Sequence, residues 1–220
     1  MTARWGPGEP AAGPWRVAPV DELVRLLWAA AGGPTSRPRV VAVDGRSAGG
    51  KSTVAALLQA AVPASGVVHT DDVAWYESFF GWDELLAAGV LEPLHRGAAV
   101  RYRPPAWDRR ERPGAIELPA GLAMVLVEGV GAARRELAGW LDAVIWVQSD
   151  AAEAEQRGIE RDGGIEVAGA FWQEWAAQEI PFLAAQRPWE RADLIVCGTP
   201  GPAHDPSCEV LLAPRFEAAR

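Results

Sequence analysis

Short apolar runs that end in a polar residue or a glycine recur along this chain, and apolar residues at helical spacing fill much of the sequence between them. The runs are "RVVAVD" (39–44), "GVVHTDD" (66–72), "AMVLVEG" (123–129), "DAVIWVQ" (142–148) and "ADLIVCG" (192–198). Continuous Val- and Ile-rich runs of this length predict strands buried on both faces. Helical spacing predicts a helix over 20–30, opened by an Asp and stopped by "AGGPTSRP", and another over "KSTVAALLQAA". Further helices are predicted over 83–88, 133–139, 150–161 and 166–186. Strands that alternate with helices predict an α/β three-layer sandwich with a five-stranded parallel sheet and helices on both faces.

Three stretches break the alternation. Residues 1–19, rich in Gly and Pro, read as a loose N-terminal arm. Residues 73–122 are too long and too mixed for one crossover helix, and predict a helix plus an irregular substrate lobe inserted at the carboxyl end of a strand, where open sheets hold ligands. The tail "CGTPGPAHDPSCEVLLAPRFEAAR" has loop signals followed by a short helix. A chain of 220 residues with these features is expected to be a single domain.

Composition narrows the classes. Hydrophobic residues make up 49% and no run reaches the roughly 18 apolar residues that span a bilayer, so a membrane protein is not expected. The first residues lack the apolar core of a secretory signal, and a cytoplasmic location is the expectation. Cys197 and Cys208 are too few for a disulfide framework. A net charge of -8 argues against broad binding to nucleic acid, so any phosphate site must be local. Nothing in the composition fixes the oligomeric state, a homodimer included.

A local phosphate site is spelled out. "GRSAGGKST" (Gly45, Arg46, Ser47, Ala48, Gly49, Gly50, Lys51, Ser52, Thr53) satisfies G-x-x-x-x-G-K-[ST] between a predicted strand and a predicted helix. The glycines let backbone N–H groups turn toward phosphate oxygens, the helix N-terminus adds positive partial charge, Lys51 adds a full one, and the Ser52 hydroxyl can ligate Mg²⁺. Glu128 ends the run "VLVE", where a carboxylate can reach the metal shell. Asp71 and Asp72 follow another strand: Asp71 is the candidate base toward an attacking hydroxyl, whereas Asp72 is a candidate metal ligand or a helix cap. His69 reads as a core histidine.

Arg157 and Arg161, four apart, share a helix face and can clamp phosphates, or lie solvated beside Glu153 and Glu160. Within the insertion, Trp75, Tyr76, Trp82, Tyr102 and Trp107 offer flat surfaces to a planar acceptor, and Arg101, Arg103 and Asp108 offer polar contacts. Trp172 and Trp175 read as helix residues packed on the sheet.

Taken in order, "VDGRSAGGKST", "HTDD", "GWDELL", "VLEPLHRG", "RYRPPAWD", "VLVEGVGA", "IWVQ" and "RGIERD" resemble the uridine kinase-like branch of the P-loop kinases, relatives of phosphoribulokinase. The resemblance runs from about Val40 to Val196. It implies a central phosphate-loop strand, Asp71 as base, Glu128 near the metal, and a lid region (157–170) whose arginines touch the phosphates. It departs from uridine kinases in "DDVAWYESFF", where Tyr76 is displaced, and in "RYRPPAWDRR", which lacks a His. The expected function is an ATP- and Mg²⁺-dependent kinase acting on a hydroxyl of a small molecule, a nucleoside first. The competing expectations are a nucleotide-dependent switch acting on a partner, and a kinase for another metabolite or a sugar-containing antibiotic.

Overall fold

A computed structural model describes residues 3–199 and 201–216. The chain opens with β1 (Arg16–Pro19), α1 (Val20–Ala30), β2 (Arg39–Gly45), α2 (Lys51–Ala61), β3 (Ser65–His69) and α3 (Thr70–Ala74). The insertion holds α4 (Asp83–Leu86), a π-helical turn (Ala87–Leu91), α5 (Glu92–His95), β4 (Val100–Tyr102), α6 (Pro105–Arg109) and β5 (Ile116–Leu118). Then come β6 (Met124–Glu128), a 3₁₀ turn (Arg135–Trp140), β7 (Ala143–Gln148), α7 (Ala151–Arg161), α8 (Ile165–Gln186), a second 3₁₀ turn (Pro188–Arg191), β8 (Leu194–Cys197) and β9 (Glu209–Ala213).

The main sheet has seven strands in the order β1-β9-β8-β7-β2-β6-β3. Neighbours from β8 to β3 run parallel, whereas β9 is antiparallel to both β8 and β1. The expected five-stranded, all-parallel sheet is therefore wrong: the sheet is mixed and two strands wider. Both missed strands lie in segments read as arm and tail. Arg16 pairs with Leu212, a contact across nearly the whole chain that no local periodicity can announce. Physically, β9 covers the ladder groups that β8 would otherwise leave open, and an antiparallel edge on a parallel sheet is a common way to do so.

The parallel strands alternate their side chains between two cores. Val41, Val43, Leu126 and Ile145 face Leu23 and Leu27 of α1 and Val54 and Leu58 of α2. Val40, Val125, Val127 and Trp146 face the insertion's Trp82, Leu86 and Leu91 and Leu183 of α8. Burying each such side chain stabilises the fold by about 1.5–3 kcal/mol. The insertion is thus half of one core. Its helix is longer than expected, continuing through the π turn, where the Tyr102 ring lies against Gly89 and leaves 2.5 Å for a Cβ there. A 3₁₀ turn replaces the helix expected over 133–139.

Candidate active site

The phosphate loop joins β2 to α2, at the carboxyl edge of the parallel strands. Two glycines shape it. Gly50 sits at φ 98°, and a Cβ on Gly49 would lie 2.7 Å from both the Arg46 carbonyl oxygen and Ser149 Oγ. Lys51 is buried, with Nζ donating to the Arg46 carbonyl at 2.9 Å. The Arg46 side chain is buried and turns away from the cleft toward β7, its Nε donating to Ser149 O at 3.1 Å. The Ser47 N–H is taken by Glu179 Oε1 of α8 at 2.6 Å.

Glu128 ends β6 beside this loop. Ser52 Oγ donates to its Oε1 at 3.2 Å, and His69 Nδ1 lies 2.7 Å from its Oε2. Burial works to raise the Glu128 pKa, but the His69 hydrogen bond, the Lys51 charge and the Ser52 hydroxyl outweigh it and hold the carboxyl below its usual range. The same hydrogen bond raises the His69 pKa. His69 is exposed rather than a core residue, because β3 ends there and its ring leans onto Glu128.

Because β3 gives way to α3 at Thr70, Asp71 and Asp72 fall in a first helical turn and point in different directions. Asp71 lines a cleft of about 470 Å³ together with Ser47–Thr53, Glu128, Arg157 and Arg161. Burial chiefly raises its pKa, against the pull of Lys51. Asp72 does not line that cleft. Its carboxylate accepts from Arg112 Nη2 at 2.6 Å and its carbonyl from Trp107 Nε1 at 2.8 Å.

The two arginines of α7 differ. Arg157 Nη1 donates to Gly198 O at 2.9 Å, while its Nε and Nη2 are buried without a partner among the described residues. Arg161 forks onto Asp162 at 2.8 and 3.1 Å. Nε and Nη2 of Arg157 carry three N–H groups, which at the wall of a cleft suit an anion, since leaving them unsatisfied is costly.

The insertion brings none of its singled-out residues to the cleft wall. Trp82 is core, donating to Phe79 O at 3.0 Å. Trp107 is buried under Arg112, whose guanidinium carbon lies 3.7 Å from the ring centroid. Trp75 meets Tyr76 edge-on at 4.7 Å, and Tyr76 is capped by Arg110 at 3.5 Å. Arg101 pairs with Glu117 across the β4–β5 hairpin, and Arg103 with Asp108 at 2.7 Å. Tyr102 packs on Gly89.

The cleft's aromatic wall comes from α8: Phe171, Trp172 and Trp175. Phe171 was missed, although its spacing of four from Trp175 is a helix-face signal. Trp172 packs on Gly158 of α7 rather than on the sheet, and Trp175 on Phe79 and Phe80. Asp44 was missed too. It ends β2 fully buried and accepts from Gly45 N at 2.7 Å, Gly131 N at 2.9 Å and Ala133 N at 2.8 Å, tying the phosphate loop to the turn after Glu128. Burial pushes its pKa up to about 6, against those three bonds. Its signal was the one used for Glu128, an acid closing an apolar strand.

No family model matches the chain, and no curated protein matches it. Among solved structures, a "putative fructose transport system kinase" from Silicibacter sp. TM1040 superposes with a TM-score of 0.56 at 19% identity, over 81% of this chain and 98% of that one. The chain shares the fold of that structure. A "Possible Uridine Kinase" from Bacillus stearothermophilus matches at TM-score 0.49 and 20% identity, over 80% of this chain and 96% of that one. TT1252 from Thermus thermophilus matches at 0.45 and 19%, over 76% and 91%. No helix among the described residues is long and apolar enough to cross a membrane.

Proposed function

We propose that this P-loop kinase fold carries an ATP- and Mg²⁺-dependent kinase that transfers the γ-phosphoryl group to a hydroxyl of a small molecule. One observation carries the reading: a complete phosphate loop, the Asp71 carboxylate and the unpaired N–H groups of Arg157 share one cleft. In the reaction the acceptor oxygen bonds to the γ-phosphorus, the bond from that phosphorus to the bridging oxygen of ADP breaks, and Asp71 takes the hydroxyl proton. Its raised pKa suits a base working nearer neutrality. Lys51 and the loop amides hold the β and γ phosphates, and Arg157 with Arg161 offsets charge on the transferring group.

Ser52 and Glu128 fit a hard divalent cation, since a hydroxyl and a depressed carboxylate 3.2 Å apart are both oxygen donors. The described residues hold no group of three or more His, Cys, Asp or Glu able to cage a metal. That suits an ion sharing its shell with phosphate and water. When bound, Mg²⁺ neutralises phosphate charge.

A nucleoside is the first acceptor, supported by the flat side chains of Phe171, Trp172 and Trp175 beside Asp71. A sugar such as a ketohexose is the second, supported by the likeness to the structure named a fructose transport system kinase. ADP release measured against a panel of nucleosides and sugars tests both. Acceptor-dependent turnover that Asp71→Asn abolishes, while MgADP binding persists, is the expected result. Nucleotide-dependent capture of a protein with no acceptor-dependent turnover would turn the reading to a switch.

A further inference from the structure

The segment that reads as a loose arm is bonded to the phosphate loop. Glu9 N donates to Gly6 O at 3.0 Å and Gly6 N to Glu9 Oε2 at 3.1 Å, a turn that presents the Glu9 carboxylate to the protein interior. The carboxylate is fully buried. It accepts from Trp146 Nε1 and Gln148 Nε2, each at 2.9 Å, and forms an ion pair with Arg46. With Gly6 N these are four donors, the full capacity of a carboxylate.

Further bonds lay the arm across the carboxyl end of β7 and the start of α7. Ala12 N donates to Gln148 Oε1 at 2.7 Å, Arg4 N to Asp150 Oδ2 at 2.6 Å, and Ala151 N to Arg4 O at 2.8 Å.

Arg46 is the second residue of the phosphate loop, yet its side chain faces the arm. Its carbonyl faces inward and accepts from Gly49 N at 3.0 Å and from Lys51 Nζ at 2.9 Å. A single residue therefore links the buried Glu9 carboxylate to the amide and ammonium that a phosphate would meet. Charge points the same way. Arg46 lies near Lys51 and the positive end of α2, and Glu9 is the anion that neutralises its guanidinium out of water.

We propose that Glu9 is a positioning residue of the phosphate loop, and that residues 4–12 are a working part of the nucleotide site rather than a loose arm. The nucleotide half of this inference rests on the kinase reading; the loop half does not. The test uses the full-length protein in two variants, Glu9→Gln and Glu9→Gln/Arg46→Met, the second removing the buried charge that the first leaves unpaired.

Amide exchange over Gly45–Lys51 in the nucleotide-free protein, MgADP affinity by calorimetry, and acceptor KM are measured with cooperative melting as the check on folding. The expected result is exchange and MgADP dissociation constants both raised about tenfold, with acceptor KM unchanged, a coupling of ordinary size between linked sites. The double variant should melt near the parent and still show both losses. If Glu9→Gln does not fold, the double variant decides.

Loop exchange and affinity at parental values in either folded variant overturn the proposal. Loss spread equally over the whole chain does so too, because that is what a merely structural arm gives. Should the parent protein bind no MgADP, the kinase reading falls, and loop exchange still decides the role of Glu9.

Discussion

Gly158→Ala sets two known effects against each other and reads out through the site. Gly158 lies in α7, one residue after Arg157, where an exposed helix position would gain about 1 kcal/mol from the change. Here the added Cβ would lie 2.8 Å from Trp172 Cε2 and nearer still to Cζ2 and Cη2. Carbon atoms need 3.5–4.0 Å, so the ring and α7 must part by about 1.5 Å at the nearest ring carbon. The ring cannot swing aside freely, being buried and donating through Nε1 to Asp162 at 3.0 Å.

Overpacking costs about 1–3 kcal/mol and the lost hydrogen bond about 1 more, so the clash outweighs the propensity gain. The net is a destabilisation of about 2 kcal/mol, or about 4–8 °C in Tm for a chain of this size. Arg157 moves with α7, and a displacement of about 1 Å at a positioning group can lower turnover about a hundredfold. Calorimetric melting and steady-state kinetics check both numbers. A variant that melts above the parent with unchanged kcat would refute the reasoning, since the ring would then be yielding at no cost.

Arg157→Met removes buried N–H groups that have no partner among the described residues, which offsets the lost bond to Gly198 O, so the nucleotide-free protein should melt near the parent, while the Tm shift produced by MgADP shrinks; thermal melting with and without MgADP checks this. Asp142 accepts from Arg37 at 2.7 and 2.8 Å, from Arg39 at 2.8 Å and from Val40 N at 2.8 Å, and although burial opposes it, these bonds depress its pKa. A depressed acid stabilises above its unfolded pKa and loses that contribution as pH falls through the folded one, so Asp142→Asn should cost about 1–2 kcal/mol at pH 7 in urea unfolding and progressively less toward acid. Asp71, raised by burial, should give kcat an acid limb above the ordinary aspartate range of about 3.9; a limb at or below that value in the pH–rate profile removes Asp71 as the base.

The phosphate loop, the five parallel strands and the placing of Asp71 and Glu128 at strand ends were legible because each depends on neighbours within a few residues: glycine sterics, continuous burial, and the turn that follows a strand. Adjacent residues of one turn already exceed that range. Asp71 and Asp72 are equivalent as letters, and only the packing of α3 turns one to the cleft and the other to Arg112. The aromatic wall shows the same limit: the insertion has the denser run of rings, yet Trp82 and Trp107 are consumed in the core while α8 supplies the cleft.

What the sequence determined by itself was thus the glycine-rich loop with its lysine, the acids at the strand ends and the parallel strands of the sheet. Tertiary structure alone decided the mixed edge, where β1 and β9 pair across nearly the full chain, and the course of the arm that brings Glu9 to Arg46. The physical reason is shared. Ladder pairing and buried ion pairs are contacts between segments distant in sequence, and their free energy exists only once the rest of the fold has brought the partners together.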